Sequence, residues 1–473
     1  MSDTSPSNVL LIYTDQWRYD ALGCAGNDEI ITPNLDRLAV RGVRFSRCFV
    51  QHPLCMPSRY SMLSGRYPSS LGVTHMGVPV PADAETLQRI LSRFGYRTAN
   101  LGKLHFLPHA NRDHRQPHPS YGFDHAQISD EPGVYPDAYQ AWVQRYFSDQ
   151  LPLITQVADP PAAQVWRDTM GISDETNRPG EGFDPYRTRA FPGRAEATHS
   201  AFVADRTLHY LSARTNDKTP FLCVSSFYNP HSPLVAPQKY LDLYKDRSLA
   251  PPAFPEELQD QRIAQGLTDD YLVQAKLGYY AMISEVDDHV GRILQKLDET
   301  GLAERTVVLF TSDHGEFLGE HLSWGKGYPA PDCVLRVPLI VAGASVESSG
   351  RVCDEIVEAV DIVPTVLSCL GLPIPPTIEG RSLRNALMGS PSSEGLGEAL
   401  AEDTDWKLLR TAEHRYLRHR DGREELYDLH EPFGEYRDIA ADVDQRNVLA
   451  TMRQRLLAKL HSKERPLERR WPY

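Results

Sequence analysis

The stretch Asn8-Val-Leu-Leu-Ile-Tyr-Thr14, followed at once by Asp15-Gln16, sets the architecture of this chain. A short apolar run that ends in polar residues predicts a β-strand covered on both faces. Similar runs recur along the chain and alternate with helical segments, which is typical of an α/β protein. We therefore predict an α/β fold with a mostly parallel sheet and helices on both of its faces.

Polar or charged residues follow four of these apolar runs. In open α/β sheets, binding sites form beyond the carboxyl ends of the strands. We therefore expect the functional site where these four strands end. The residues that follow the runs are Asp15-Gln16, Lys103-Leu104-His105, Asn229-Pro230-His231 and Asp313-His314-Gly315-Glu316.

Asp15 and Asp313 form a candidate metal pair. Two carboxylates on neighbouring strand ends repel each other unless a cation lies between them. Oxygen ligands favour hard divalent ions such as Ca²⁺, Mg²⁺ or Mn²⁺. Either aspartate alone would more often be a helix cap or a turn residue, but the pair predicts one divalent metal ion.

The run Cys55-Met-Pro-Ser-Arg59, which continues to Leu63-Ser-Gly-Arg66, constrains the function most tightly. Pro57 suits the first turn of a helix and Gly65 suits a helix end, so we predict a helix over 57–64 with Cys55 next to its N-terminus. A helix N-terminus favours an anionic nucleophile and an anionic substrate. Arg59 lies about one turn further on, where it can steady residue 55. An isolated cysteine would more often be an inert buried thiol.

The order Cys-x-Pro-Ser-Arg with Leu-Ser-Gly-Arg resembles the signature of type I sulfatases of the alkaline phosphatase superfamily. The resemblance extends from Asn8 to about Leu429. It implies an alkaline-phosphatase-like fold with a small antiparallel C-terminal subdomain. It also implies that a maturase converts Cys55 to formylglycine, whose hydrated aldehyde attacks a small-molecule sulfate ester. The formylglycine oxygen then also binds the metal ion.

Two pairs depart from the commonest sulfatase pattern. Asp15-Gln16 and Asp313-His314 stand where many members have Asp-Asp and Asp-Asn, and they resemble choline sulfatases and phosphonate monoester hydrolases. The implied metal ligands are therefore the two aspartates, Gln16, His314 and the formylglycine formed from Cys55. Because a Gln carbonyl and an imidazole remove one negative charge and add a nitrogen donor, Mn²⁺ is favoured, while Ca²⁺ and Mg²⁺ stay open.

Cationic groups supply the other half of the expected site. Lys103-x-His105, the loop with His231, and Lys326 in Ser323-Trp-Gly-Lys-Gly327 resemble family elements, although each residue alone would more often be a solvated surface group. The resemblance implies that His231 or Lys326 assists the leaving group. His105 would then take a proton from the second hydroxyl of hydrated formylglycine, which expels sulfate. Arg59 belongs to the same catalytic group.

Two other functions remain open. A phosphonate monoester or phosphodiester hydrolase with the same nucleophile is supported by Asp15-Gln-Trp-Arg18, whereas Lys103-x-His105 favours sulfate. A catalytically silent binding protein, in which Cys55 stays a thiol, belongs to another class.

Composition limits the partners. The 473 residues carry a formal charge of −13 and no basic stripe, which argues against nucleic acid. The N-terminus has no basic region and only a short apolar run, so we expect neither a signal peptide nor a membrane span. Seven scattered cysteines fit a reducing cytoplasm. Homo-oligomer formation is left open.

Two domains are expected. We assign 1–389 to the catalytic domain and 390–473 to the C-terminal subdomain, which begins with a polar linker and contains an amphipathic helix over 442–462. The segment 106–200 is rich in Pro, His, Asp and Tyr and has weak periodicity. We therefore expect it to form inserted loops over the site that determine substrate selectivity.

Overall fold

The computed structural model describes residues 8–156, 161–172, 182–347, 350–390 and 397–463. The strands in these ranges are β1 (Asn8–Thr14), β2 (Gly42–Phe49), β3 (Arg97–Gly102), β4 (His125–Ile128), β5 (Arg189–Ala190), β6 (Phe221–Ser226), β7 (Val235–Ala236), β8 (Thr306–Ser312), β9 (Arg336–Gly343), β10 (Arg351–Glu358), β11 (Glu398–Glu402), β12 (Trp406–Thr411), β13 (His414–His419) and β14 (Glu424–Asp428).

The α-helices of the same ranges connect and cover these strands. They are α1 (Pro33–Val40), α2 (Cys55–Ser64), α3 (Pro68–Leu71), α4 (Leu87–Arg93), α5 (Ala138–Tyr146), α6 (Pro161–Met170), α7 (His199–Ser212), α8 (Gln238–Leu241), α9 (Gln259–Ala264), α10 (Asp269–Glu299), α11 (Asp332–Leu335), α12 (Ile362–Cys369), α13 (Arg384–Leu387) and α14 (Arg446–Ser462).

The main sheet has eight strands in the order β10-β2-β9-β8-β1-β6-β3-β4. Strand β9 runs antiparallel to its neighbours β2 and β8, and the other pairs are parallel. All seven residues of β1 are buried, as expected for a central strand with both faces covered. The predicted mostly parallel α/β sheet is confirmed.

Residues of β1 alternate between two hydrophobic cores. Val9 and Leu11 belong to the core that also contains residues of α2 and α12. Leu10 and Ile12 belong to the core on the other face, together with residues of α7 and α10. This alternation follows from the two-residue period of a strand, and it confirms that helices cover both faces.

The order of the sheet brings the predicted site residues together. Strands β8, β1, β6 and β3 are consecutive neighbours and are mutually parallel, so their carboxyl ends lie at the same edge. The polar residues that follow these four strands therefore meet at one place.

A four-stranded antiparallel sheet, β11 to β14, forms the C-terminal part, as predicted. Its Ala399 and Leu408 join the same core as Val9. The Glu402 amide donates to the Gln51 carbonyl at 2.8 Å, which ties the small sheet to the main body. We predict the domain boundary between residues 389 and 390, followed by a linker. Residues 391–396 lie outside the described ranges, so this division stays a prediction. The helix expected over 442–462 is α-helical from Arg446.

The 106–200 segment is more regular than predicted. Besides loops, it contains β4, the helices α5 and α6, and the start of α7. Helix α5 buries Tyr139, Trp142 and Val143, which lie on one face at helical spacing. The surrounding proline-rich sequence hides this short pattern. Among the described residues, no helix is long and apolar enough to cross a membrane.

Candidate active site

Cys55 lies at the centre of the candidate active site. It is the first residue of α2 and is buried. Its Sγ atom lies 2.6 Å from Lys326 Nζ, 3.2 Å from His314 Nε2 and 3.7 Å from Asp15 Oδ1. Burial, with a further contribution from Asp15, raises the pKa of the Cys55 thiol to about 12. The helix therefore begins two residues earlier than predicted and carries Cys55 in its first turn.

Four of the predicted metal ligands form one buried group. Asp15, Cys55, Asp313 and His314 each offer a ligand atom, and all four atoms lie within 4.8 Å of one another. His314 Nδ1 lies 2.8 Å from the Gly315 carbonyl, so this nitrogen donates and Nε2 presents its lone pair to the group. Burial lowers the pKa of His314 to about 4, which keeps the imidazole neutral. These donors fit a divalent cation.

Gln16 lies beside this group in a left-handed backbone conformation, with φ of 69°. Its backbone N–H donates to Asp313 Oδ1 at 3.1 Å, and its side-chain amide nitrogen donates to Glu316. Its Oε1 atom is buried and has no hydrogen-bond partner. An unpartnered buried carbonyl is costly unless a cation or water satisfies it, which fits the predicted role of Gln16 as a ligand.

Arg59 contacts the two carboxylates. Its Nε lies 2.6 Å from Asp313 Oδ2, and its Nη2 lies 3.4 Å from Asp15 Oδ2. The guanidinium carbon also lies 4.6 Å from the centre of the Tyr13 ring. The sequence suggested that Arg59 steadies residue 55, whereas the structure places its direct hydrogen bonds on the carboxylate side of the site.

Two lysines face the same group from other elements. Lys103 Nζ lies 2.6 Å from Asp15 Oδ2, and Lys326 Nζ lies 3.0 Å from His231 Nε2. Burial alone would raise the pKa of Asp15, but the charges of Lys103 and Lys326 hold it well below its usual range. His231 Nδ1 lies 2.7 Å from the Ser232 carbonyl, so its Nε2 accepts from Lys326. The predicted lysines and His231 are thus brought to the site.

His105 is held on the Lys103 side of the site by a residue that the sequence did not indicate. Oδ1 of the buried Asp130 accepts from the backbone N–H groups of Leu104 and His105, both at 2.8 Å. His105 has a left-handed φ of 55°, so the carboxylate fixes an uncommon backbone conformation. Asp130 comes from the 106–200 segment, whose weak periodicity contains no pattern that would locate this residue.

Glu285 is a second residue that the sequence reasoning missed. It lies on the buried face of α10 and accepts from Thr198 Oγ1 at 2.6 Å and from Asn229 Nδ2 at 2.9 Å. It therefore anchors the loop that carries His231. Glu285 lies among the buried, mainly apolar residues of α10, and a carboxylate at such a position could have been noticed because it requires polar partners.

In this chain the ends of a mostly parallel sheet gather carboxylates, an imidazole and cations around residue 55, as expected for a hydrolase of the alkaline phosphatase superfamily. The family model described as Sulfatase matches residues 7–372. The chain therefore belongs to the sulfatase family and is an enzyme of that family, as the motif from Cys55 to Arg66 predicted.

Individual relatives agree with this assignment. An arylsulfatase from Clostridium perfringens is 29% identical and covers 97% of this chain and 95% of its own length. A choline-sulfatase from Rhizobium meliloti is 28% identical and covers 90% of this chain and 81% of its own length. Among solved structures, the phosphonate monoester hydrolase of Agrobacterium radiobacter has a TM-score of 0.77, with 26% identity, 97% coverage of this chain and 96% of that one. The predicted likeness to both groups is confirmed.

Proposed function

We propose that the protein hydrolyses a small-molecule sulfate monoester with formylglycine, formed from Cys55, as its nucleophile. One divalent ion would be held by Asp15, Gln16, Asp313, His314 and the modified residue 55. The observation that carries this proposal is the position of Cys55 Sγ, in contact with both Lys326 Nζ and His314 Nε2. The side chain of residue 55 thus lies between the candidate metal ligands and the cationic side chains.

The chemistry of a divalent ion and of formylglycine fits these surroundings. When bound, a divalent ion supplies positive charge that polarises neighbouring oxygen atoms. A hydrated aldehyde at residue 55 carries two hydroxyls on one carbon, whereas a serine carries a single hydroxyl and would need water to attack its ester. The carboxylates, the neutral His314 and the unpartnered Gln16 Oε1 form a suitable set of donors for Ca²⁺, Mn²⁺ or Mg²⁺.

The cationic residues would bind the sulfate group. Lys103 and Lys326 are fixed by ion pairs and hydrogen bonds, so they need no rearrangement when negative charge develops on the substrate. Lys326 Nζ donates to the neutral His231 Nε2 and stays protonated. The leaving oxygen would take its proton from this pair. The neutral His105 would accept the proton released in the second stage.

The proposed nucleophile requires a maturase. An enzyme that oxidises cysteine to formylglycine must act on Cys55 before turnover begins. Expression with and without a formylglycine-generating maturase should therefore change specific activity. A cytoplasmic location stays a proposal that fits seven unpaired thiols among the described residues.

Likeness to a phosphonate monoester hydrolase favours a second candidate function for the same residues. The test is kcat/KM for an aryl sulfate against the matched aryl phosphonate and phosphodiester, in one buffer and with one metal ion. We expect the sulfate to be hydrolysed with the highest kcat/KM. The opposite order would assign the site to phosphonate or phosphodiester hydrolysis, and no turnover of any ester would favour the silent binding protein.

A further inference from the structure

A second group of metal-ligating side chains lies on the Lys103 side of the active site. His105, His109 and Glu131, named here the His–His–Glu cluster, each offer one ligand atom, and the three atoms lie within 4.8 Å of one another. The two imidazole rings stack with their centres 4.9 Å apart. His109 Nε2 lies 3.7 Å from Glu131 Oε1. None of these three residues is a ligand of the first metal group.

Two nitrogen atoms of this cluster lack a hydrogen-bond partner. His105 is only 4% exposed, and its Nδ1 is buried without a partner, as is Nε2 of His109. Burial lowers the pKa of His109 to about 3 and also lowers the pKa of His105, so both rings are neutral and carry a free lone pair. Buried polar atoms are normally satisfied by protein, water or an ion, so these two nitrogens are available to bind a ligand.

We propose that the His–His–Glu cluster binds a transition-metal ion of the Zn²⁺ type, separately from the ion at Asp15 and Asp313. Two imidazoles and one carboxylate are a donor set found around zinc, whereas Ca²⁺ and Mg²⁺ prefer oxygen ligands. Ligand atoms around tetrahedral zinc lie about 3.3 Å apart. The two rings lie only 25° from parallel, so the side chains move closer and the rings rotate until both lone pairs face the ion. The fourth position is left to water.

Charge and position bear on the same assignment. Lys103 and Arg112 are the cations whose charges act on these histidines, and the charge of Lys103 is offset by Asp15 at 2.6 Å. Asp130, which accepts from the His105 backbone at 2.8 Å, adds a second carboxylate on this side besides Glu131. His109 and Glu131 both come from the 106–200 segment, so this segment adds a metal-binding function to the catalytic core.

The cluster has a consequence for catalysis that rests on the proposed function. Zinc bound by His105 removes the lone pair that the proposed mechanism uses to accept a proton. Zinc should therefore inhibit turnover even when the first metal site is full. The binding itself does not depend on the reaction.

The test uses the mature holoenzyme in an excess of Ca²⁺ or Mn²⁺, which keeps the oxygen-rich site occupied. The enzyme is dialysed against a graded series of Zn²⁺ concentrations, and bound zinc is measured by elemental analysis. His109→Ala and Glu131→Gln are compared with wild type, and His125→Ala, which removes an exposed histidine of β4, is the matched control. Circular dichroism checks that each variant is folded.

We expect wild type and His125→Ala to take up one zinc ion per chain with the same affinity. Each cluster variant should bind zinc at least about 10-fold more weakly, and inhibition by zinc should weaken in parallel. Unchanged zinc affinity in folded His109→Ala and Glu131→Gln, or no zinc uptake by wild type, would overturn the proposal. Zinc uptake that depends on the cluster in an enzyme without sulfatase activity would refute the proposed function alone.

Discussion

At the scale of single residues, Asp15 and Asp313 are the groups on which metal binding depends most. Asn in place of either aspartate removes the charge that attracts the cation, so metal affinity should fall by more than about 10-fold, and occupancy and activity should fall with it. His314→Ala should weaken binding less, because a neutral imidazole contributes less electrostatic attraction. Metal analysis of the purified variants measures the effect, with the exposed Asp354→Asn as control. Full occupancy in Asp313→Asn would contradict the proposed metal site.

His314 gives a prediction about pH. Its pKa is lowered to about 4 by burial, whereas an unfolded histidine titrates near 6.5. As pH falls from about 6.5 to about 4, the unfolded chain takes up this proton first, so the free energy of unfolding decreases. Replacement of the ring by His314→Gln removes this contribution.

The measurement is urea unfolding of chelator-treated enzyme at several pH values. Wild type should lose more stability than His314→Gln between about pH 6.5 and about pH 4. Equal slopes for the two proteins would show that the buried imidazole does not hold its lowered pKa.

Most site residues could be predicted because each follows an apolar strand. Asp15, Lys103 and Asp313 stand directly after such runs, and the sheet order brings them together. Asp130 could not be predicted, because it acts by accepting backbone N–H groups of the His105 turn. A backbone contact leaves no pattern of residue types in the sequence.

At the scale of elements, the end of α2 gives a stability prediction. Gly65 closes the helix with φ of +67°, and an added Cβ would lie 3.1 Å from both Ile378 Cγ2 and Val363 Cβ. Gly72 closes α3 with a similar φ of +71°, but nothing lies within 4 Å of its added Cβ. Gly72→Ala therefore serves as the control for the backbone cost alone.

We expect Gly72→Ala to lower the free energy of unfolding by about 1 kcal/mol. Gly65→Ala should cost about 1–3 kcal/mol more, because Val363 of α12 and Ile378 must also shift. Urea unfolding of the two variants measures both values. Equal losses would show that the packing of Gly65 against α12 does not contribute.

Strands were easier to predict than the helices of the 106–200 segment. Every residue of β1 is buried, so an unbroken apolar run reports its burial directly. Helix α5 buries one face only and lies among many Pro, His and Asp residues, which conceal its period. From the sequence, the 106–200 segment is therefore predicted to cover the site as a whole, without individual site residues.

At the scale of the whole molecule, a buried ion pair joins the C-terminal sheet to the main body. Arg410 of β12 donates from Nε and Nη2 to the two carboxylate oxygens of Asp332, both at 2.8 Å. Asp332→Asn leaves a buried guanidinium without its counter-charge, so the free energy of unfolding should fall by about 3 kcal/mol. Asp298→Asn breaks an exposed pair with Arg41 and should change it by less than about 1 kcal/mol.

The pKa of Asp332 sets the pH range in which the Arg410–Asp332 ion pair stabilises the protein. Burial raises the pKa of Asp332, but Arg410 outweighs it and holds the pKa below the usual 3.8. The stabilisation is therefore present above about pH 4 and is lost as pH falls further. Wild type and Asp332→Asn should thus converge in strong acid, and a stability difference that grows on acidification would contradict the ion pair.

The proposed activity of the whole molecule depends on the nucleophile at residue 55. Substitution of Cys55 tests this dependence. Cys55→Ser supplies only one hydroxyl, so it should show no steady turnover of a sulfate ester and at most accumulate a covalent adduct. Cys55→Ala should be inactive. Sustained turnover by Cys55→Ser would remove the need for formylglycine.

Mass spectrometry of the peptide that contains residue 55, taken from enzyme with measured sulfatase activity, is the most direct test. We expect the Cys55 side chain to have lost its thiol and to carry an aldehyde, in a fraction of the chains that rises with specific activity. An unmodified thiol at residue 55 throughout a fully active preparation would contradict it.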